Sequence, residues 1–400
     1  MNKKKVIFIL YSLLVGGAER RAASLANHLA NDGFEIEILL LDNSSVKFEI
    51  DHRVKIIFLC DDLSATIENK HDMVDVYYSR KTSVPFTHQM HLRWNKATNK
   101  QKYLAYDQLQ YLINRYSNKI YDYIKDKPGY TVVSWMTFAN ISMCYALRKL
   151  HNEKVIVECT SPQYEFESNH PVNDLKNKYY PLVNKCVCQT EESAAYYDFL
   201  THVKKYVIPN PIIGSYPSRY EGKRNKAIVT FSRLNKVKNI PLLIDAFCLL
   251  HKDYPEYQLH IFGEGEEKEN LIQYVSNKGI DDFITFFDFD VNIHTRIVDY
   301  AMFVSSSDRE GMSNSMLEAM AIGLPTISTD CPAGAARMLI DNYVNGIVVP
   351  MRDPQAMYEA MKYIIEHPQE AEQMSIKATE IREKLSMSRI GEQWAKALTD

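Results

Sequence analysis

Four hundred residues exceed what one ordinary hydrophobic core accommodates and suit two α/β domains. An apolar share of 46% against 24% charged residues is the profile of a packed globular chain, and a net charge of −3 excludes a general affinity for nucleic acid. The seven cysteines have neither zinc-ligand spacing nor a Cys-x-x-Cys gap, so reduced thiols in a cytosolic protein are expected.

The chain opens on an apolar run broken by Tyr11 and Ser12, which leads straight into Gly16-Gly17 without a small-x-small cleavage pattern. It is expected as a buried first strand over 6–11 and not as an export signal. A helix over 18–30, ended by Gly33, and a strand over 34–41 follow. Strand, glycine turn, helix and strand begin a doubly wound parallel sheet. Residues 60–128 are polar, aromatic and basic, with a helix expected over 102–125. Between 76 and 130, ten Lys or Arg against three acids give an excess of +7, interleaved with Phe86, Leu92 and Trp94. Such a segment suits a solvated surface, or contact with anionic lipid headgroups or a lipid diphosphate. Further strands are expected over 130–134, 154–158 and 185–189, with a helix from 191; on the last strand Cys186 and Cys188 read as one core thiol and one outward thiol. No stretch has the length of a membrane-spanning helix.

Three prolines and a glycine in 208–217 suit an extended linker. After Lys226 the rhythm restarts, with strands expected over 227–232, 258–262, 283–287, 302–305 and 326–329, and helices over 240–252, from 267, over 313–322 and over 357–366. The pattern predicts an α/β protein of two doubly wound Rossmann-like domains facing a cleft. Their expected bounds are 1–207 and 227–380, joined by a linker over 208–226, with a C-terminal helix over 381–400 returning to the first domain. In such sheets ligands bind beyond the carboxyl ends of the strands.

The strongest chemical signal is Ser307–Pro325. Ser313 or Asn314 can cap a helix there, Gly323 suits its end and Pro325 stops it. Gly311 allows close approach of backbone to a ligand, and the amides of Met312, Ser313, Asn314 and Ser315 form an anion site fit for a diphosphate. Glu310 and Glu318 flank that site, and a carboxylate is the usual clamp for a vicinal diol. Two diol clamps around a phosphate cradle describe a sugar nucleotide, whereas separately they are ordinary helix glutamates. The second signal is Phe231–Asn239, the loop after the first strand of the second domain. Arg233 can grip phosphate bidentately and Lys238 adds a compact charge. Fixed cations there meet charge developing on a departing diphosphate, so no metal is required. Alone, that loop would read as a solvated turn.

Ser232-Arg233-Leu234-x3-Lys238-Asn239 together with Glu310-x7-Glu318 resembles the family 4 retaining glycosyltransferases of GT-B fold. The likeness extends over Gly16-Gly17-Ala18-Glu19-Arg20, Ile208-Pro209-Asn210-Pro211-Ile212, Gly263-Glu264-Gly265 and Asn345-Gly346. The resemblance implies that Arg233 and Lys238 hold the diphosphate. It likewise implies that Glu310 binds donor-sugar hydroxyls, that Glu318 binds the ribose, and that Gly16 and Gly17 admit donor and acceptor. It further implies a hexose or N-acetylhexosamine transferred from a UDP-sugar to a saccharide, expected to be lipid-linked, in bacterial capsule, O-antigen or related surface-polysaccharide synthesis. The expected place is the cytoplasm, with peripheral contact at the inner membrane face and no cofactor. Val157-Glu158-Cys159-Thr160-Ser161-Pro162 keeps only Glu and Pro of a related acceptor-side stretch, leaving Glu158 and Thr160 as acceptor-side candidates. No histidine matches the family's acceptor-side one, so no general base is assigned. Asp288-Phe289-Asp290 has the Asp-x-Asp pattern of metal-binding glycosyltransferases but sits in a fold that does not use it. Two other classes stay open: another GT-B-like enzyme such as an epimerase or phosphorylase, and a non-catalytic sugar-nucleotide-binding subunit.

Overall fold

The computed structural model describes residues 4–14, 16–43, 45–59, 99–150, 154–159 and 171–400, with backbone alone at 99–108 and 171. The basic stretch 76–98 and Thr160 lie outside the described residues. The chain forms two compact units. One takes the residues up to Gln189 with Ala194–Ile208 and Ile390–Asp400, and the other takes Thr190–Ser193 with Pro209–Arg389. The proline-rich segment after Ile208 therefore belongs to the body of the second unit.

In the first unit the strands are β1 (Lys5–Leu10), β2 (Glu35–Leu40), β3 (Lys55–Phe58), β4 (Tyr130–Trp135), β5 (Lys154–Cys159), β6 (Lys185–Cys188) and β7 (Lys204–Val207). Their order is β3-β2-β1-β4-β5-β6-β7 with every pairing parallel. Helices α1 (Gly17–Asn31), α2 (Asn99–Ile124), α3 (Met136–Ala146) and α4 (Pro171–Tyr179) accompany them, and α5 (Glu191–Tyr196) is divided, its first three residues grouping with the second unit. Parallel strands covered on both faces must be apolar throughout, and Val6–Leu10 is buried accordingly. β3 and β7 were not expected from sequence: β3 has only the short apolar run Ile56–Phe58 after Lys55, β7 begins on Lys204 and Lys205, and both are four-residue strands at the sheet edges.

Cys186 and Cys188 correct the sequence reading: both thiols are fully buried. Side chains two apart on a strand share one face, so one cannot turn outward while the other turns in. Cys159 is registered beside Cys188 on the neighbouring strand, and burial pushes its thiol up. The basic excess is also partly spent within the fold. Lys119 donates to the Leu59 carbonyl at 2.6 Å, Lys125 pairs with Asp122 at 2.9 Å, and Lys127 pairs with Glu37 at 2.6 Å.

The second unit carries β8 (Ala227–Phe231), β9 (Gln258–Phe262), β10 (Ile284–Phe287), β11 (Met302–Ser305), β12 (Thr326–Thr329) and β13 (Ile347–Val349). Its helices are α6 (Ile240–Asp253), α7 (Lys268–Lys278), α8 (Ile293–Ile297), α9 (Asn314–Ala321), α10 (Ala335–Leu339), α11 (Pro354–Glu366), α12 (Pro368–Ala378) and α13 (Ile381–Lys384). The strand order β10-β9-β8-β11-β12-β13 reverses direction between β8 and β11. Chain leaving these two strands diverges to opposite sides, opening a crevice at their carboxyl ends. The segments after Phe231 and after Ser305 therefore meet at the switch point.

The last helix, α14 (Met387–Thr399), buries Ile390, Trp394, Ala397 and Leu398 in the first unit. Trp394 stacks on Trp135 with centroids 5.2 Å apart and planes 23° from parallel, and Lys185 donates to the Ala397 carbonyl at 2.7 Å. Trp394→Ala is expected to cost about 3–5 kcal/mol, the usual loss for truncating a buried aromatic. Urea unfolding followed by circular dichroism measures it; a loss below about 1 kcal/mol would mean that α14 adds little.

Candidate functional site

The loop after β8 is shaped by its neighbour after β9. Gly263 and Gly265 have φ of +140° and +156°, and a Cβ on them would lie 1.9 Å from the Ser232 carbonyl oxygen and 2.1 Å from that of Leu234. Only glycine lets the two backbones come this close. The Leu234 amide donates to the Glu264 carbonyl at 2.8 Å, and the Glu267 amide donates to the Leu234 carbonyl at 3.1 Å. Gly263-Glu264-Gly265 is thus a loop-packing device, in keeping with its lack of a third dinucleotide-site glycine.

Beyond Leu234 the chain makes a 3₁₀ turn over Lys236–Lys238, capped by the Asn235 side chain accepting from the Lys238 amide at 3.3 Å. That turn is bonded to the loop after β11. The Asp308 amide donates to the Val237 carbonyl at 2.8 Å, and Ser306 Oγ donates to the Lys238 carbonyl at 2.9 Å. Asn239 Nδ2 donates to Asp308 Oδ1 at 3.0 Å, and Arg352 Nη2 pairs with Asp308 Oδ2 at 3.1 Å. A third loop, after β12, holds Glu310 by its backbone: its amide donates to the Pro332 carbonyl and its carbonyl accepts from the Ala333 amide, both at 2.9 Å.

This framework brings Lys238 and Glu310 together. Lys238 Nζ forms an ion pair with Glu310 Oε1, which also accepts from Ser307 Oγ at 2.9 Å. Both side chains keep just under a fifth of their surface exposed, so the pair is accessible yet only partly screened. Arg233, five residues earlier, is exposed and has no ion-pair partner among the described residues. Beneath Glu310, burial and the carboxylate's charge push the Cys331 thiol up to about 12, which keeps it protonated and unreactive.

Ser313 is the N-cap of α9, its Oγ accepting from the Met316 amide at 3.3 Å. By helix geometry the amides of Asn314 and Ser315 have no partner inside α9. Met312 and Ser313 are buried while Gly311, Asn314 and Ser315 are partly exposed. Gly323, at φ +74°, ends the helix with the Leu324 amide returning to the Ala319 carbonyl at 3.0 Å. Glu318, one turn into α9, accepts from His294 Nε2 at 3.1 Å.

Two contributors had no role in the sequence reading. Asn210 donates through Nδ2 to Asn314 Oδ1 at 3.1 Å, anchoring the start of α9 from the proline-rich segment. His294, on the five-residue α8, reaches Glu318 and meets the rings of Tyr216 and Phe231 edge-on. Neither role has a spacing signal, because each acts through a contact between distant segments. Asp288 and Asp290 are paired with Lys268 and Arg296, and among the described residues no group of three His, Cys, Asp or Glu could hold a metal.

Gly16 and Gly17 lie at the start of α1 in the first unit, the Gly16 carbonyl accepting from the Arg20 amide at 3.0 Å. Glu158 is 1% exposed at the end of β5, ion-paired with Arg21, while its carbonyl accepts from Asn140 Nδ2 at 2.8 Å. Arg21 lies 5.1 Å over the Trp135 ring. Removing either partner of this pair would leave a buried charge uncompensated.

Residues 218–381 match the family model described as Glycosyl transferases group 1. This corrects the family expected from sequence: the model that fits is that of group 1, and family 4 is replaced by it. Stereochemical retention, which that resemblance alone implied, is not carried forward. An uncharacterized glycosyltransferase of Haemophilus influenzae is 23% identical over 98% of this chain and 99% of its own length. The N-acetylgalactosamine-N,N'-diacetylbacillosaminyl-diphospho-undecaprenol 4-alpha-N-acetylgalactosaminyltransferase of Campylobacter jejuni is 26% identical, over 91% of this chain and 90% of its own. Among solved structures, a mutant of S. aureus TarM in complex with Fondaparinux, alpha-GlcNAc-glycerol and UDP superposes with a TM-score of 0.72. It has 14% identity and covers 99% of this chain and 100% of its own. The two Rossmann-like α/β domains are of the GT-B type, and the sequence likeness of the second is to glycosyltransferases.

Proposed function

We propose that this protein is a glycosyltransferase that moves a hexose or N-acetylhexosamine from a UDP-sugar to a lipid-linked saccharide during synthesis of a bacterial surface polysaccharide. The observation that carries the reading is the Lys238–Glu310 pair, held at the switch point by hydrogen bonds between the loops after β8 and β11. A cation and a carboxylate at one point match the two ends of a sugar diphosphate. Lys238 and Arg233 take the phosphates with the outer amides of α9, Glu310 takes sugar hydroxyls, and Glu318 takes the ribose. In the reaction the bond from the anomeric carbon to the diphosphate oxygen breaks and one to the acceptor oxygen forms. The acceptor hydroxyl's proton is released to solvent as the new bond forms, and charge developing on the leaving group meets fixed cations.

UDP as the donor nucleotide is supported by its presence in the TarM complex, and the acetamido sugar by the name of the C. jejuni relative. The diphospho-undecaprenol in that name supports a lipid-linked acceptor. The basic segment 76–130 supports contact with an anionic membrane and, with it, work at the cytoplasmic membrane face; no described helix is long and apolar enough to cross a membrane.

Glu310→Ala is expected to lower transfer by about a hundredfold or more, the scale of lost substrate positioning, measured by release of UDP from a panel of UDP-sugars with acceptor. Unchanged turnover would remove Glu310 from the site. Arg233→Ala should weaken UDP binding by roughly ten- to a hundredfold in calorimetric titration, as for loss of a charge-assisted hydrogen bond. Unaltered affinity would contradict the phosphate role. Neutralising Arg93, Lys96, Lys100 and Lys102 together should reduce co-sedimentation with anionic liposomes, and equal pelleting would retire membrane contact through that segment.

A further inference from the structure

We propose that His294 is a positioning residue for the donor's ribose: its Nε2–H hydrogen bond aims the Glu318 carboxylate, and through it sets how strongly the protein prefers a ribonucleotide to a 2′-deoxyribonucleotide. The inference rests on Glu318 being the ribose clamp and adds a residue outside that pairing.

His294 Nε2 lies 3.1 Å from Glu318 Oε2. A carboxylate oxygen accepts, so Nε2 carries the proton and donates. Both side chains are largely withdrawn from solvent, where the bond competes little with water. The imidazole is itself held. The Tyr216 ring meets it edge-on with centroids 4.9 Å apart, and Phe231, the last residue of β8, meets it at 6.1 Å. Tyr216 is fixed in turn, its hydroxyl donating to the Ile213 carbonyl at 2.9 Å. The donor that aims Glu318 is thus gripped by the end of the switch-point strand and by the proline-rich segment, both within the second unit.

A glutamate has three side-chain torsions, and a diol clamp works only when its carboxylate plane faces the diol. One hydrogen bond from a fixed ring removes most of that freedom before the ligand arrives, which is preorganisation. A carboxylate accepts about four hydrogen bonds, so one to His294 leaves the chemistry of a clamp intact. The placement of His294 also separates positioning from catalysis. Its hydrogen bond goes to the proposed ribose ligand, while Glu310 and Lys238 are bonded to each other, so its loss should change nucleotide selection and not the response to the diphosphate.

The test compares UDP with 2′-deoxy-UDP by calorimetric titration in the full-length wild type, His294→Ala and His294→Gln. The wild type is expected to favour UDP by about tenfold or more, the worth of a hydrogen bond to a charged group. His294→Ala should bring that ratio to about threefold or less, with affinity for 2′-deoxy-UDP little changed. His294→Gln, which keeps a donor of similar reach, should restore most of the preference. If the wild type discriminates and His294→Ala discriminates equally, the inference is overturned while Glu318 keeps its role. If Ala and Gln lose the preference alike, ring packing and not the hydrogen bond is responsible, and the inference is again overturned. If the wild type does not distinguish the two nucleotides, the ribose role of Glu318 fails first and the inference fails with it.

Discussion

Three hydrogen bonds between loops far apart in sequence hold the candidate site together: the Asp308 amide to the Val237 carbonyl, Ser306 Oγ to the Lys238 carbonyl and Asn239 Nδ2 to Asp308 Oδ1. Each contributes only about 1 kcal/mol net. Their importance is positional, because β8 and β11 are adjacent in the sheet and their following loops would otherwise diverge. Bonded together, they set a lysine from one beside a glutamate from the other. The glycines at 263 and 265 extend the same constraint one strand outward by letting the loop after β9 press directly on Leu234.

Charge in this region is balanced locally. Lys238 is paired with Glu310, Asp308 with Arg352, and the two aspartates of the Asp-x-Asp stretch with Lys268 and Arg296, while Glu318 accepts a hydrogen bond from His294. A doubly charged ligand entering such a site does not meet bare cations. It exchanges partners, and Lys238 can keep Glu310 while its remaining donors turn to phosphate, since an ammonium has three. Arg233, exposed at the front of the loop, adds charge without an internal pair to break among the described residues.

The first unit uses its buried charge differently. Arg21 and Glu158 neutralise each other almost out of contact with solvent, with the Trp135 ring beneath the guanidinium. Breaking one side would strand a buried charge, a far larger penalty than losing a surface pair. Trp135 then stacks on Trp394, so the same residue links the ion pair to the terminal helix.

Much of the fold was legible in the residues alone. Apolar runs bounded by glycine and proline mark most central strands, because a parallel strand covered on both faces has no polar alternative. The restart after Lys226 revealed a second domain of the same kind, and the Ser313 cap with Gly323 bounded α9 through local backbone chemistry. The Arg233, Lys238, Glu310 and Glu318 motifs could be named because residue type and spacing carry them. The edge strand β7 could not be read, since a strand of four residues with two lysines has no periodicity to detect, whereas the equally short edge strand β10 was marked by its apolar residues. Nor could the partners be read: that Lys238 meets Glu310, that Glu158 is sealed against Arg21, that Asn210 and His294 reach α9. A contact between residues dozens to more than a hundred positions apart is decided by strand order and loop packing, and neither leaves a trace in local sequence.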